Sequence, residues 1–183
     1  KESSAASDVY KRQTHRIAHA ARTGAADPRR TLAVTFTTRA AGEMRGRLME
    51  LGVEGVQART FHAAALRQLH FFWPRAYGVE LPPVTDQRFG LVAQAAARQR
   101  LDNDTATIRD LSAEISWAKV SNVPAGDYPG LARAARRDVA GLDPEVVARV
   151  LTEYEAAKRE RGVIDFDDIL LCTLALMHEH PQI

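Results

Sequence analysis

The chain has 183 residues, 45% of them hydrophobic, enough to bury a core in one ordinary domain or two small ones. A formal net charge of +2 with 26% charged residues provides no basic footprint, so nucleic-acid binding cannot be claimed from composition. No run approaches the roughly 18 to 20 apolar residues that span a bilayer, no signal-peptide core is present, and a single cysteine excludes an internal disulfide; together these point to a reducing, cytoplasmic setting.

Residues 1–13 show neither helical nor strand periodicity and resemble a non-native leader, so the fold is read from Thr14 onward. Ile17, Ala18 and Ala21 mark one face of a short helix ending near Gly24 and Pro28. Leu32 to Phe36 is an apolar, β-branched run, the pattern of a short buried parallel strand. Ala40, Ala41, Met44, Leu48 and Leu51 then recur at helical spacing until Gly52. Val56 to Phe61 reads as a weaker strand, and Ala65, Leu66 and Leu69 open a helix that Pro74 should end.

From about residue 85 to Gly162 helices dominate. Thr107 is the expected cap of one, with Ile108, Leu111, Ile115 and Ala118 as its buried stripe, and Asp143 with Pro144 opens another that carries Val147, Leu151 and Tyr154 inward. These two stripes should face one another. Asp165 is expected to cap a last helix with Asp168 at its third position and Ile169, Leu170, Leu174 and Met177 on the core side. Asp165, Asp167 and Asp168 could be a cation cluster, but their spacing favours service to the helix dipole. His178 and His180 suit a solvated helix end, Trp73 and Trp117 suit core or interface positions, and Cys172, inside an apolar run, suits an inert buried thiol.

Residues 32–45, LAVTFTTRAAGEMR, resemble motif Ia of the UvrD/Rep/PcrA-type superfamily 1 DNA helicases. Thr60-Phe61-His62 is similar to the family's motif Ib, residues 163–170 (VIDFDDIL) resemble the segment before its Walker B strand, and residues 14–19 resemble the helix after its P-loop. The resemblance implies an α/β fold: a partial RecA-like P-loop NTPase motor domain (1A) over 14–74 and 163–183, interrupted by a mostly helical insertion (1B) over 75–162. It implies a parent enzyme that couples ATP and Mg²⁺ to 3′-to-5′ movement on single-stranded DNA and unwinds duplex at junctions in repair or replication. No GxxxxGK[ST] occurs among these residues and no DExx follows the last helix. The chain is therefore expected to be an internal piece, inactive alone, with its P-loop just before Thr14. The alternative is a P-loop-deficient, non-enzymatic DNA-binding domain of a nuclease-helicase complex.

By the same resemblance Phe36, Thr37, Thr38, Arg39, Thr60, Phe61 and His62 belong to the single-strand track. An aromatic there serves every base because each has a π face, although Phe36 at a strand end is equally consistent with a core ring. The threonine hydroxyls suit phosphates, and Thr38 also suits a helix cap. Where the family has asparagine and lysine, this chain has Thr38 and Arg39: the amide fork is lost, whereas the charge is kept in a form that grips phosphate in two places. Neither a catalytic residue nor a metal ligand is expected within the chain.

Overall fold

The computed structural model describes residues 2–182, with side chains from residue 9 onward. Its elements in chain order are α1 (Glu2–Arg22), β1 (Leu32–Thr35), α2 (Thr38–Glu50), β2 (Gln57–Thr60), α3 (Phe61–Tyr77), α4 (Arg88–Arg98), α5 (Thr105–Val120), α6 (Tyr128–Ala134), α7 (Pro144–Arg161) and α8 (Asp168–Glu179), with a 3-10 turn at Pro28–Arg30. The chain divides into two compact units, one up to Gln68 and one from Leu69, so that the boundary falls inside α3.

In the first unit β1 and β2 pair in parallel, with Leu32 opposite Gln57 and Thr35 opposite Thr60, and α2 is the crossover between them. Ala33 and Thr35 point into a core shared with Ala18, Met44, Leu48, Val53 and Ala58. Leu32 and Val34 remain substantially exposed, so the expected buried strand is covered on one face only. Leu51 closes α2 and Gly52 follows it at φ +71°, a conformation a residue with a Cβ adopts reluctantly.

Two helices exceed their expected limits. α1 begins at Glu2 rather than near Thr14: no Pro or Gly interrupts the stretch, so a helix nucleated over 14–22 extends through it, and Tyr10 packs on the core with its hydroxyl 3.2 Å from Thr35 Oγ1. α3 runs through Pro74 to Tyr77. A proline deprives only the carbonyl four residues back, and here the helix has less than one further turn to run. In that loosened turn the Arg75 guanidinium donates to the Phe71 carbonyl.

The second unit is helical around one core. Leu91, Val92, Ala95 and Ala96 of α4 are fully buried together with Ile108, Leu111, Ile115 and Ala118 of α5 and Val147, Val150, Leu151 and Tyr154 of α7. The two expected stripes therefore share a core, but α4, which packs on both α5 and α7, is their common neighbour. Asp104, not Thr107, caps α5, accepting from the amides of Ala106 and Thr107 at 2.9 and 3.0 Å; its extended backbone, φ −68° and ψ 151°, suits a cap, while Thr107 already lies within the first turn. Asp143 caps α7 as expected and Gly162 ends it at φ +61°. The segment before α8 returns beside residues 83–85: Val84 bridges Ile164 in parallel, and Thr85 N donates to the Ile164 carbonyl at 2.8 Å.

Asp165 and Asp168 clasp each other, the amide of each donating to the carboxylate of the other at 2.8 and 2.9 Å, which is the reciprocal form of a capping box. Regular helix begins at Asp168, three residues later than the cap. Of the expected inward face of α8 only Ile169 is buried, and it is joined by Leu176; Leu170, Leu174 and Met177 are 41, 60 and 65% exposed. The clasp decides this rotation by turning the Asp168 side of the helix inward.

The inward side is ionic. Lys119 Nζ lies 2.7 Å from Asp165 and 2.5 Å from Asp168, Lys158 Nζ lies 2.5 Å from Asp168, and the Tyr154 hydroxyl donates to Asp165 at 2.7 Å. Burial opposes the charge on Asp165, but Lys119 and then Lys158 outweigh it and hold the carboxyl well below the usual range. Burial likewise opposes Lys119, and Asp165, Glu155 and Asp168 reverse it, raising that ammonium above its ordinary value. A depressed carboxylate contributes above its ordinary value of 3.8 and a raised ammonium contributes below its ordinary 10.5, so the Asp165–Lys119 pair contributes fully between those limits. Lys119→Met should lower stability by about 3 to 5 kcal/mol at neutral pH, because removing one member leaves carboxylate charge buried and under-compensated. The deficit should narrow at pH 3, where the parent protein has begun to lose the same contribution; urea unfolding at both pH values measures it.

Candidate nucleic-acid interface

β1 passes to α2 through Phe36 and Thr37, and β2 passes directly into α3 at Phe61. Because Thr35 is paired with Thr60, both connections leave the sheet side by side at its carboxyl edge, where open α/β sheets place their ligands. Each carries an aromatic ring. Phe36 is 87% exposed and Phe61 41%, and their ring centroids are 5.1 Å apart at an interplanar angle of 44°. Burying such a ring would recover about 2 kcal/mol, so the exposure of Phe36 rules out the core reading within this chain.

Both helices that begin here are capped by threonine in the same way. Thr37 Oγ1 accepts from the amide of Ala40 at 3.1 Å, and Thr60 Oγ1 accepts from that of Ala63 at 3.1 Å. Thr37, at φ −119° and ψ 148°, is therefore the cap of α2, and Thr38 is its first helical residue. A hydroxyl that accepts at its oxygen still has its own hydrogen to donate. Two helix N-termini and two threonine hydroxyls thus flank the aromatic pair, a combination suited to an anionic chain that also carries flat apolar groups.

Arg39 lies on the open face of α2, where its Nε donates to Glu43 at 3.1 Å. Exposed pairs of this kind contribute little, so the guanidinium can change partner at small cost. His62 is half-buried and engaged with its surroundings. The edge itself is braced from behind by Arg45, whose guanidinium donates to the Ala58 carbonyl at 2.8 Å and ties α2 to β2.

The remaining candidate clusters are structural. Glu155, Asp165 and Asp168 present oxygens within 4.8 Å of one another, a spacing fit for a cation, but Lys119 and Lys158 already bond to these carboxylates. Asp167 accepts from Arg88 at 2.8 Å and Ser116 at 2.9 Å. The three aspartates therefore hold helices together, through ion pairs with Lys119, Lys158 and Arg88 as well as through the expected helix start. His180 packs edge-on against Tyr77, and burial pushes the Cys172 thiol up to about 11, which keeps it protonated and inert at neutral pH. Trp117 flanks the helical core beneath the Arg137 guanidinium, 3.9 Å from its ring centre.

The family model of the UvrD/REP helicase N-terminal domain matches residues 13–183. The chain belongs to this family. The ATP-dependent DNA helicase UvrD2 of Mycobacterium tuberculosis is 49% identical over 181 residues, covering 93% of this chain and 26% of the relative. The ATP-dependent DNA helicases PcrA of Leuconostoc citreum and Staphylococcus aureus are 32 and 27% identical, each over 93% of the chain and 23% of their own length. The chain thus spans about a quarter of the curated relatives it matches. The mixed architecture, mostly helical with a small parallel sheet, is consistent with part of a helicase domain of this family. No helix among the described residues is long and apolar enough to cross a membrane.

Proposed function

We propose that this chain is part of the motor of an ATP-dependent DNA helicase, and that the carboxyl edge of its sheet forms part of the track for single-stranded DNA. The observation that carries this reading is the exposed Phe36–Phe61 ring pair set between two threonine-capped helix N-termini. Phe36 and Phe61 stack on bases without regard to sequence. Thr37, Thr38 and Thr60 meet backbone phosphates through hydroxyls and helix-terminal amides, and Arg39 leaves Glu43 to grip a phosphate. His62 lines the same edge as a contact residue, with no general-base role.

The names of the relatives, ATP-dependent DNA helicases, support an ATP-driven parent enzyme; 3′-to-5′ translocation and unwinding in DNA repair or replication we infer from the motif resemblance of residues 32–45, 60–62 and 163–170. We assign residues 14–74 and 163–183 to its RecA-like domain 1A and 75–162 to the inserted domain 1B. The residues present do not fit the nucleotide: none forms the glycine-rich loop that would cradle its phosphates, and the carboxylates fit for a cation are paired with lysines. No step is therefore assigned to ATP or Mg²⁺ within this chain. Titration of the chain with a fluorescent ATP analogue is expected to give no saturable binding in the micromolar range; saturation reversed by ATP would refute that placement of the nucleotide site.

In the full-length enzyme Phe36→Ala should weaken single-stranded DNA binding by about 1 to 3 kcal/mol, the scale of one lost base stack, and leave the melting temperature nearly unchanged because the ring is exposed. Fluorescence anisotropy with a labelled oligothymidylate, together with thermal unfolding, measures both. Unchanged affinity with a large drop in melting temperature would mean that the ring serves folding instead.

A further inference from the structure

At the opposite end of the same sheet the first unit holds a cleft of about 210 Å³ whose charged lining is entirely basic: Arg29 and Arg30 from the 3-10 turn, Arg59 from β2 and Arg67 from α3. The neutral polar residues Thr31 and Gln57 also line it. Four arginines line this cleft without a carboxylate, although like charges repel and a surface normally intersperses both signs. Among the described residues the Arg30 and Arg67 guanidinium groups have no hydrogen-bond or ion-pair partner, and Arg59 meets only the Gln57 side chain, at 3.3 Å. Asp27, the carboxylate of the same turn, is occupied in accepting from the Arg29 amide at 2.9 Å.

The cleft is also held in shape before any ligand arrives. Pro28 fixes the start of the 3-10 turn, the Thr31 hydroxyl donates to the Asp27 carbonyl at 2.8 Å, and Gln57 N donates to the Thr31 carbonyl at 3.0 Å, which fastens the turn to β2. Gly55, at φ +93°, leaves room for Arg29: a Cβ there would lie 3.0 Å from Arg29 Cγ. Below the usual size of a drug-like pocket, the volume suits a small anionic group rather than a whole cofactor. Planar guanidinium forks match phosphate geometry in two-point contact.

We propose that Arg29, Arg30, Arg59 and Arg67 form a phosphate-binding cleft that holds a backbone phosphate of a nucleic-acid strand, as a second anchor separate from the aromatic edge. The choice of nucleic acid rests on the reading given under Proposed function. α3 supports it physically, since Phe61 stands at its start and Ala64 and Arg67 of the cleft follow within two turns, about 9 Å along the helix axis, so one strand could touch both places.

The test is the double variant Arg30→Gln with Arg67→Gln in the full-length enzyme, beside Phe36→Ala, with labelled oligothymidylate titrated over a range of salt concentrations. Both arginines are exposed and without partners, so the variant should fold normally. We expect affinity to fall about tenfold or more and the slope of log K against log salt to shrink by about 1.4, the release of two counterions from a single strand. Phe36→Ala should lower affinity with little change of slope. If the arginine variant keeps parental affinity and slope while Phe36→Ala weakens binding, the cleft proposal fails and the aromatic track stands; if only the arginine variant weakens binding, the cleft stands and the aromatic reading fails. Two competitors separate the sources of phosphate and charge. Inorganic pyrophosphate bound in an arginine-dependent way without displacing oligothymidylate, or an oligoglutamate peptide bound more tightly than the strand, would overturn the assignment to nucleic acid.

Discussion

The register between two four-residue strands sets the geometry of the first unit. Thr35 opposite Thr60 makes the chain leave both strands at the same level, and from that one pairing follow the contact between Phe36 and Phe61, the side-by-side start of α2 and α3, and the matching roles of Thr37 and Thr60 as caps. A slip by one residue would turn alternate side chains to the other face, burying Leu32 and Val34 and driving Ala33 and Thr35 outward. Ala58, Ala33 and Met44 resist the slip because they fill the core behind the sheet. The Tyr10–Thr35 and Arg45–Ala58 hydrogen bonds add polar pins on β1 and β2.

The helical unit relies on a different device. Two lysines, two aspartates and a tyrosine hydroxyl occupy a junction that apolar side chains could have filled, and such a cluster adds little net stability relative to a well-packed apolar one. Its effect is on geometry. Each carboxylate meets both a lysine and the backbone of its partner, so the turn before α8 has one arrangement in which all groups are satisfied. A third buried carboxylate, Glu114, is treated in the same way by the Tyr128 hydroxyl at 2.8 Å and by Nε and Nη2 of Arg137, each at 2.6 Å. Each of these three buried carboxylates is thus met by more than one donor, beside an apolar core to which α4, α5 and α7 all contribute.

The two candidate contacts of the first unit illustrate two ways of meeting a polyanion. At the carboxyl edge most of the positive character is partial, coming from helix ends and hydroxyls with Arg39 as the one full charge among the candidate residues, and the rings supply apolar area. In the basic cleft the charge is full and the walls are fixed by a proline, a capped turn and a glycine with positive φ, which suits a contact that holds.

Much of this was determined by the sequence itself. The spacing of Ile108, Leu111 and Ile115, the Asp143-Pro144 start with Gly162 at the stop, and the β-branched run from Leu32 to Phe36 each describe local backbone chemistry, and the motif at 32–45 carries the resemblance to the family that the match over residues 13–183 shows. Tertiary structure decided what depends on partners distant along the chain. Nothing in the local pattern marks Lys119 as a partner of Asp165, 46 residues away, and only folding brings it there beside Lys158 of the preceding helix. Leu170, Leu174 and Met177 carry apolar periodicity, yet the Asp165–Asp168 clasp sets the rotation of α8 and leaves them exposed. Phe36 was ambiguous for the same reason: a ring at a strand end is core or contact according to what lies opposite, and the strand pairing places Phe61 there with water around both. Periodicity reports how one segment divides between apolar and polar faces; charge pairing and ring exposure are properties of two segments at once, and the distance between them exists only after the chain has folded.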